Sequence, residues 1–377
     1  MRRKIRGRFM ASIRSDHLSV PTPRSLLPES RMNATSPGPV LLEDTFGHLI
    51  SYLRISVTDR CNERCTYCMP EEEQIWHPRA EILTYEEILR LVRVAVSLGV
   101  SKVRVTGGEP LVRRDVLGFI EELGCLSGLG LKDIGVSTNA TMLAQRAPDG
   151  NGNHAERLKA AGVRSVNISL DSLDAETYRR TTGRDFLGKA LAGIDAALES
   201  GIESVKLNCV LMKGKTEAEM FDLLEFAREK GVMLRFIELM PVSTQEVLED
   251  NRFFTAGLAK RILELKTGEL RFRPDIVTNG PSRYFEVLGT GQVIGFIGAM
   301  TDFHFCERCN KLRLTCDGKL RPCLGSHLEF DVRDALRDGS DDEALADIIR
   351  TVVVRKPKEH DFRDNYQPGR RMVAIGG

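Results

Sequence analysis

At 377 residues the chain is long enough for one large core plus a smaller second unit, since single cores stop growing near ~250–300 residues. Apolar residues make up 42% and charged residues 28%, ordinary for a globular protein, and no run approaches the ~18 apolar residues that a membrane-spanning helix needs. A net charge of +1 supplies no global basic field, so composition gives nonspecific nucleic-acid binding no electrostatic support and leaves room for a local anion site.

Residues 1–43 are expected to form a disordered extension. Arg2, Arg3, Lys4, Arg6, Arg8 and Arg14 open a stretch that continues through Pro21, Pro23, Pro28, Pro37 and Pro39 without helical or strand periodicity. It lacks the apolar centre of a secretory signal, which leaves an organellar transit peptide, a mobile arm or a later true start at Met10 or Met32. The expected compartment is the cytoplasm, or an organellar matrix if the stretch is a transit peptide.

From Tyr52 onward, short β-branched runs at 53–57, 102–106, 133–138, 165–170, 204–210 and 234–239 alternate with helical segments. The helix expected over 84–98 repeats Ile88, Leu91, Ala95 and Leu98 at helical spacing behind Thr84, with Glu87 completing a capping box. Further helices are expected over 187–199 and 216–230, stopped by Gly201 and Gly231, and over 331–354. This alternation gives an α/β class with a parallel sheet. Six units are too few for a closed eight-unit barrel, so the expected architecture is a partial, six-unit, TIM-like β/α barrel with its site at the carboxyl ends of the strands.

Nine cysteines are too few for a disulfide scaffold, and their number is odd. Six form two triplets, Cys61/Cys65/Cys68 and Cys306/Cys309/Cys323, while Cys125, Cys209 and Cys316 stand apart. Clustered thiolates in a reducing compartment bind metal. The first triplet, C-x₃-C-x₂-C, follows the first strand, and no further cysteine or histidine appears until His77. Three ligands on a four-iron cube leave one iron open, as a catalytic site needs; a zinc loop completed by a distant residue is the blander alternative. Thr106-Gly107-Gly108-Glu109-Pro110, by itself a turn, has glycines that let backbone approach a ligand closely. The second triplet, C-x₂-C-x₁₃-C, also has zinc-ribbon spacing, for which Cys316, His304 or His327 could serve as fourth ligand.

The first triplet, with Tyr67 just before its last cysteine, and the Gly-Gly-Glu-Pro segment together resemble the radical S-adenosylmethionine (SAM) superfamily. With the second triplet following in order, about residues 44–377 resemble the GTP 3′,8-cyclase (MoaA-type) family of molybdenum cofactor biosynthesis. The resemblance implies two [4Fe-4S] clusters, one on Cys61, Cys65 and Cys68 and one on Cys306, Cys309 and Cys323, with SAM as cofactor. It implies a radical SAM partial barrel over 44–245 and a C-terminal covering domain over 246–377, which carries the second cluster and ends in a Gly376-Gly377 tail that enters the active site. Tyr67, Gly108, Ser169 and Met240 resemble the SAM contacts; Arg54, Arg104, Ser137, Lys206, Lys311 and Arg313 resemble the GTP contacts. Guanidinium forks and compact ammonium groups suit a triphosphate. Ser137 keeps a hydroxyl where the family often has threonine, whereas Lys311 replaces a usual arginine and loses its bidentate geometry. No residue is implied as an acid–base catalyst.

The implied reaction opens molybdopterin synthesis. A SAM-derived 5′-deoxyadenosyl radical takes hydrogen from C3′ of GTP, and the carbon radical attacks guanine C8 to give 3′,8-cyclo-7,8-dihydro-GTP. The implied partners are GTP, an electron donor and a downstream pterin-forming enzyme, with neither nucleic acid nor membrane, the protein being a monomer or homodimer. Two other readings stay open: a radical SAM enzyme with an auxiliary cluster that modifies a peptide, and a zinc-stabilised interaction or nucleic-acid-binding protein that uses the Arg-rich start.

Overall fold

The six β-branched runs form one parallel ladder: β1 (Tyr52–Ser56), β2 (Lys102–Thr106), β3 (Asp133–Thr138), β4 (Val163–Ser169), β5 (Ser204–Leu211) and β6 (Met233–Glu238). The computed structural model describes residues 41–69, 76–242, 252–278, 280–364, 366 and 369–376. Of the disorder expected over 1–43, residues 1–40 lie outside them, as does the tail residue Gly377, whereas Leu42 is buried and Glu43 bridges antiparallel to Leu49. Helices α1 (Tyr85–Ser97), α2 (Val116–Cys125), α3 (His154–Ala160), α4 (Ala175–Thr182), α5 (Leu187–Glu199) and α6 (Thr216–Glu229) connect the strands. The capping box of α1 forms as its sequence dictates, with Thr84 accepting from the Glu87 amide and Glu87 reaching back to the Thr84 amide.

Beyond β6 come α7 (Ala256–Thr267), β7 (Leu270–Phe272), β8 (Arg283–Val287), β9 (Val293–Ile297), β10 (Lys311–Leu314), β11 (Lys319–Arg321) and β12 (Phe330–Asp331). Then follow α8 (Arg333–Arg337), α9 (Asp342–Val354) and α10 (Met372–Ile375). Among the described residues these strands join a single twelve-stranded sheet, ordered β12-β11-β10-β1-β2-β3-β4-β5-β6-β9-β8-β7. β10 pairs parallel to β1 and β9 parallel to β6, so the parallel run extends beyond the six expected units on both sides. Antiparallel strands finish each edge. The helix expected over 331–354 is broken: Gly339 takes a positive φ of 88°, and Asp341 caps a new helix by accepting from the Ala344 amide.

A parallel sheet covered on both faces by helices reads as continuous apolar runs. These strands alternate instead. Leu53 and Ile55, Val103 and Val105, Val166 and Ile168, and Leu234 and Phe236 are buried in the outer core, where they meet Ile88, Leu91, Val92 and Ala95 of α1 and the other helices. Each such side chain contributes ~1.5–3 kcal/mol by leaving water. The intervening residues, Arg54, Arg104, Asn167, Lys206, Asn208 and Arg235, line a cavity of about 670 Å³. That is the size of a small-molecule site.

Candidate active site

The loop after β1 folds tightly, with the Cys68 and Met69 amides both donating to the Cys65 carbonyl at 2.9 Å. Its Arg64 and Thr66 amides donate to Thr182 O (2.7 Å) and Thr181 O (2.9 Å) at the end of α4. The three thiols are half-buried, and the Glu63 amide donates to Cys61 Sγ at 3.4 Å, the kind of hydrogen bond that tunes an iron–sulfur ligand. Burial pushes all three thiols up, Cys68 to about 12. A bound metal core reverses that penalty, because its positive charge favours thiolates. Three soft donors in one loop fit a four-iron cluster with one iron left open.

Gly107 and Gly108 also have a structural purpose that the sequence alone does not show. A Cβ on Gly108 would lie 2.3 Å from Arg60 O, and one on Gly107 2.6 Å from Thr58 O. The close approach is therefore to the cysteine loop itself, sealed by Gly108 N to Thr58 O (2.8 Å) and Glu109 N to Arg60 O (2.9 Å). Glu109, fully buried, accepts from the Leu111 amide (3.1 Å), Thr138 Oγ1 (2.8 Å) and the Asn139 amide (2.7 Å). Asn139 Nδ2 in turn donates to Asn62 Oδ1 at 2.8 Å, so the ends of β2 and β3 brace the cysteine loop. Tyr67 donates its hydroxyl to Asp171 at 2.7 Å. Ser169 and Met240 line the cavity.

The cations follow from strand register. Arg313 of β10, Arg54 of β1 and Arg104 of β2 are direct neighbours across the sheet, as are Lys311, Tyr52 and Lys102 one pleat away. All six line the cavity, with Ser137, Lys206 and Arg235. Arg104 is committed mostly to the protein: it donates to Tyr52 Oη (2.8 Å), Val136 O (2.8 Å) and Ser165 Oγ (2.7 Å). Gly135 makes this possible, since a Cβ there would lie 2.5 Å from an Arg104 Nη atom. Lys206 donates to Ser204 Oγ at 2.6 Å; burial and the nearby Arg235, Arg104 and Lys102 lower it to about 8. For Tyr52, burial would raise the phenol, but Arg104, Arg54, Lys102 and Lys311 bring it down to about 7. Such a concentration of positive charge needs an anion.

The second triplet is assembled by a hairpin. Arg313 pairs with Arg321 and Leu314 with Leu320, so the same antiparallel register carries Cys323 back beside Lys311 and next to Cys309. Cys306, Cys309 and Cys323 all line the cavity. Cys309, opposed by burial but favoured by Lys356 and Lys311, is lowered to about 7, while burial raises Cys306 to about 11. Cys316 sits fully buried at the opposite end of the hairpin, on the order of 15 Å along the strand at ~3.3 Å per residue, beside Ser56 and Asp59. His304 is exposed and paired with Glu307, and His327 stacks on Tyr366 with centroids 4.7 Å apart. None of the three candidate fourth ligands thus joins the triplet. Gly376 packs where a Cβ would meet Thr106 Cγ2 at 2.6 Å, and its carbonyl accepts from Arg313 at 2.8 Å.

Two family models match the chain, the Radical SAM superfamily over residues 55–227 and Molybdenum Cofactor Synthesis C over residues 232–362. Proteins named GTP 3′,8-cyclase from Hydrogenovibrio crunogenus and Moorella thermoacetica are 41% and 42% identical to it, over 89% of this chain and 99% and 100% of their own lengths. The chain belongs to the GTP 3′,8-cyclase family. The crystal structure of Streptococcus suis SuiB bound to S-adenosylmethionine, at 17% identity and a TM-score of 0.55, covers 81% of this chain and 69% of that one and shares the fold. Membership of the radical SAM superfamily brings with it one [4Fe-4S] cluster and SAM.

Several residues of this GTP 3′,8-cyclase family site escape a motif reading. Arg235 lies in an expected strand, two residues from Ile237 on the inward face, and its Nε donates to Asn208 Oδ1 at 2.9 Å. Alternation with buried Leu234 and Phe236 was the available signal. Tyr52 and Lys102 sit at the starts of their strands, where no motif draws notice. Glu238 closes β6 and accepts from the Ala256 amide (2.9 Å), the Met300 amide (2.8 Å) and the Thr301 amide (3.1 Å). It fastens the C-terminal segment to the barrel. Among the described residues no helix is long and apolar enough to cross a membrane.

Proposed function

We infer that the protein is a GTP 3′,8-cyclase that carries out the opening step of molybdopterin synthesis. The observation that carries this reading is one cavity lined both by the second cysteine triplet and by the cations of β10, β1, β2, β5 and β6. Cys61, Cys65 and Cys68 hold the superfamily's cluster, and Cys306, Cys309 and Cys323 are proposed to hold a second. The proposed functional division falls near residue 245, with the barrel before it and the second-cluster segment after it.

With a cluster held by Cys61, Cys65 and Cys68 and SAM bound, the site would supply a 5′-deoxyadenosyl radical, the chemistry that hydrogen removal from C3′ of GTP requires. The side chains bind, orient and exclude water. Arg54, Lys206, Lys311 and Arg313 are proposed to grip the triphosphate, joined by Lys102 and Arg235. Arg104 spends three of its five N–H donors on Tyr52, Val136 and Ser165, which leaves two for substrate. Ser137 offers GTP a hydroxyl. Ser169 and Met240, which line the cavity, are proposed to seat SAM together with Tyr67 and Gly108, which do not line it. The tail holds Arg313 through the Gly376 carbonyl and so orients that guanidinium. The chemistry requires an external electron donor and an enzyme that consumes the cyclised nucleotide.

The test is anaerobic reconstitution followed by incubation with SAM, a reductant and GTP. Deoxyadenosine and a cyclised GTP isomer are expected together. Deoxyadenosine without the cyclised nucleotide would remove the substrate assignment, and zinc without iron or acid-labile sulfide would remove the radical chemistry.

A further inference from the structure

Lys356 lies just after α9, is only 5% exposed, and forms no ion pair with a carboxylate among the described residues. Its Nζ donates to Pro322 O at 2.6 Å and to Lys311 O at 3.1 Å. Those carbonyls belong to the residue preceding Cys323 and the residue two past Cys309, one on each strand of the hairpin that assembles the second triplet. The same ammonium hydrogen-bonds to the Cys309 side chain and lies near enough to Cys323 to favour its thiolate. Lys356 does not line the cavity, so the triphosphate is not its counter-ion. Lys311 differs: it reaches into the cavity, 5.5 Å from the centre of the Tyr52 ring.

A buried ammonium whose partners are two carbonyls and the Cys309 sulfur is costly while that thiol is neutral, and a cysteine-ligated iron–sulfur cluster, negatively charged overall, offsets that cost. Hydrogen bonds and charge near the sulfurs also set a cluster's potential. We propose that Lys356 is a positioning residue for the second cluster, its ammonium anchored on the Lys311 and Pro322 carbonyls so that it faces Cys309 and Cys323 and raises the cluster's reduction potential. The inference rests on the proposed second cluster. Reduction adds negative charge beside the ammonium, so removing the ammonium favours the oxidised form.

The full chain with Cys61, Cys65 and Cys68 changed to alanine isolates the second triplet. In that background, the native lysine, Lys356→Met and Lys356→Arg are reconstituted anaerobically, and iron content and an EPR-monitored redox titration are read. The methionine form, matched in length but neutral, is expected to show a reduced-to-oxidised ratio about tenfold lower at a fixed solution potential, a shift of about 59 mV for one electron. The arginine form should stay near the native value. Loss of the cluster in Lys356→Met with retention in Lys356→Arg also supports the charge. Equal potentials with lysine and methionine, or loss of the cluster in both variants, overturn the proposal. If no cluster forms with Lys356 intact, the second-cluster reading falls and takes the inference with it.

Discussion

In the proposed triphosphate site, Lys206 and Tyr52 would make substrate binding pH-dependent. Lys206 titrates near 8 because burial and Arg235, Arg104 and Lys102 oppose its charge. Tyr52 titrates near 7 because surrounding cations outweigh burial. A bound triphosphate reverses both influences, raising each pKa, so each group takes up protons on binding. Affinity is therefore full below the unliganded pKa values and falls as pH rises through the liganded ones. Calorimetry of GTP binding at pH 8 should show heats that vary with buffer ionisation in the direction of proton uptake, with weaker affinity at pH 9 than at pH 7. Buffer-independent heats would contradict this electrostatic account. Arg54, Arg104, Ser137, Lys206, Lys311 and Arg313, which the family resemblance singled out, all line the cavity. Arg235, Lys102 and Tyr52 were not legible in the sequence, because their meaning depends on which neighbour the pleat sets beside them.

Strand pairing explains features that spacing leaves ambiguous. The thirteen-residue gap before Cys323 is compatible with a zinc ribbon; the β10–β11 hairpin turns it into a device that returns Cys323 to Cys309 and strands Cys316 at the far end. That register is invisible in sequence, since β10 has four residues and β11 three. Likewise, Gly-Gly-Glu-Pro was readable as a motif, but its physical reason lies in the neighbouring loop. Gly108→Ala would place a methyl 2.3 Å from Arg60 O, and such backbone crowding costs ~1–3 kcal/mol or more. We expect this variant to lose iron from the first triplet while keeping it at the second, roughly halving total iron and abolishing deoxyadenosine formation. Full iron loading with normal SAM cleavage would contradict the bracing role.

At the scale of the whole molecule, the β/α alternation of residues 53–239 was legible because its strands are β-branched and its helices amphipathic. The further parallel strands were harder to see. β9 carries Gly295, where a Cβ would lie 2.9 Å from Arg235 Cγ, and β10 alternates charge with leucine. Glu238 ties the two segments together through three backbone amides. Glu238→Ala leaves those donors without their acceptor, at ~1–3 kcal/mol for the buried Ala256 amide and less for the part-buried Met300 and Thr301 amides. Its thermal unfolding midpoint should drop by several degrees, whereas an unchanged midpoint would mean the junction is held elsewhere. In the proposed division of labour, the radical source on Cys61, Cys65 and Cys68 acts on GTP seated in the cavity that Cys306, Cys309 and Cys323 line. Cys323→Ala, reconstituted anaerobically and assayed with SAM, reductant and GTP, tests it most directly: deoxyadenosine should still form while the cyclised nucleotide disappears, and normal cyclisation by that variant would contradict the account.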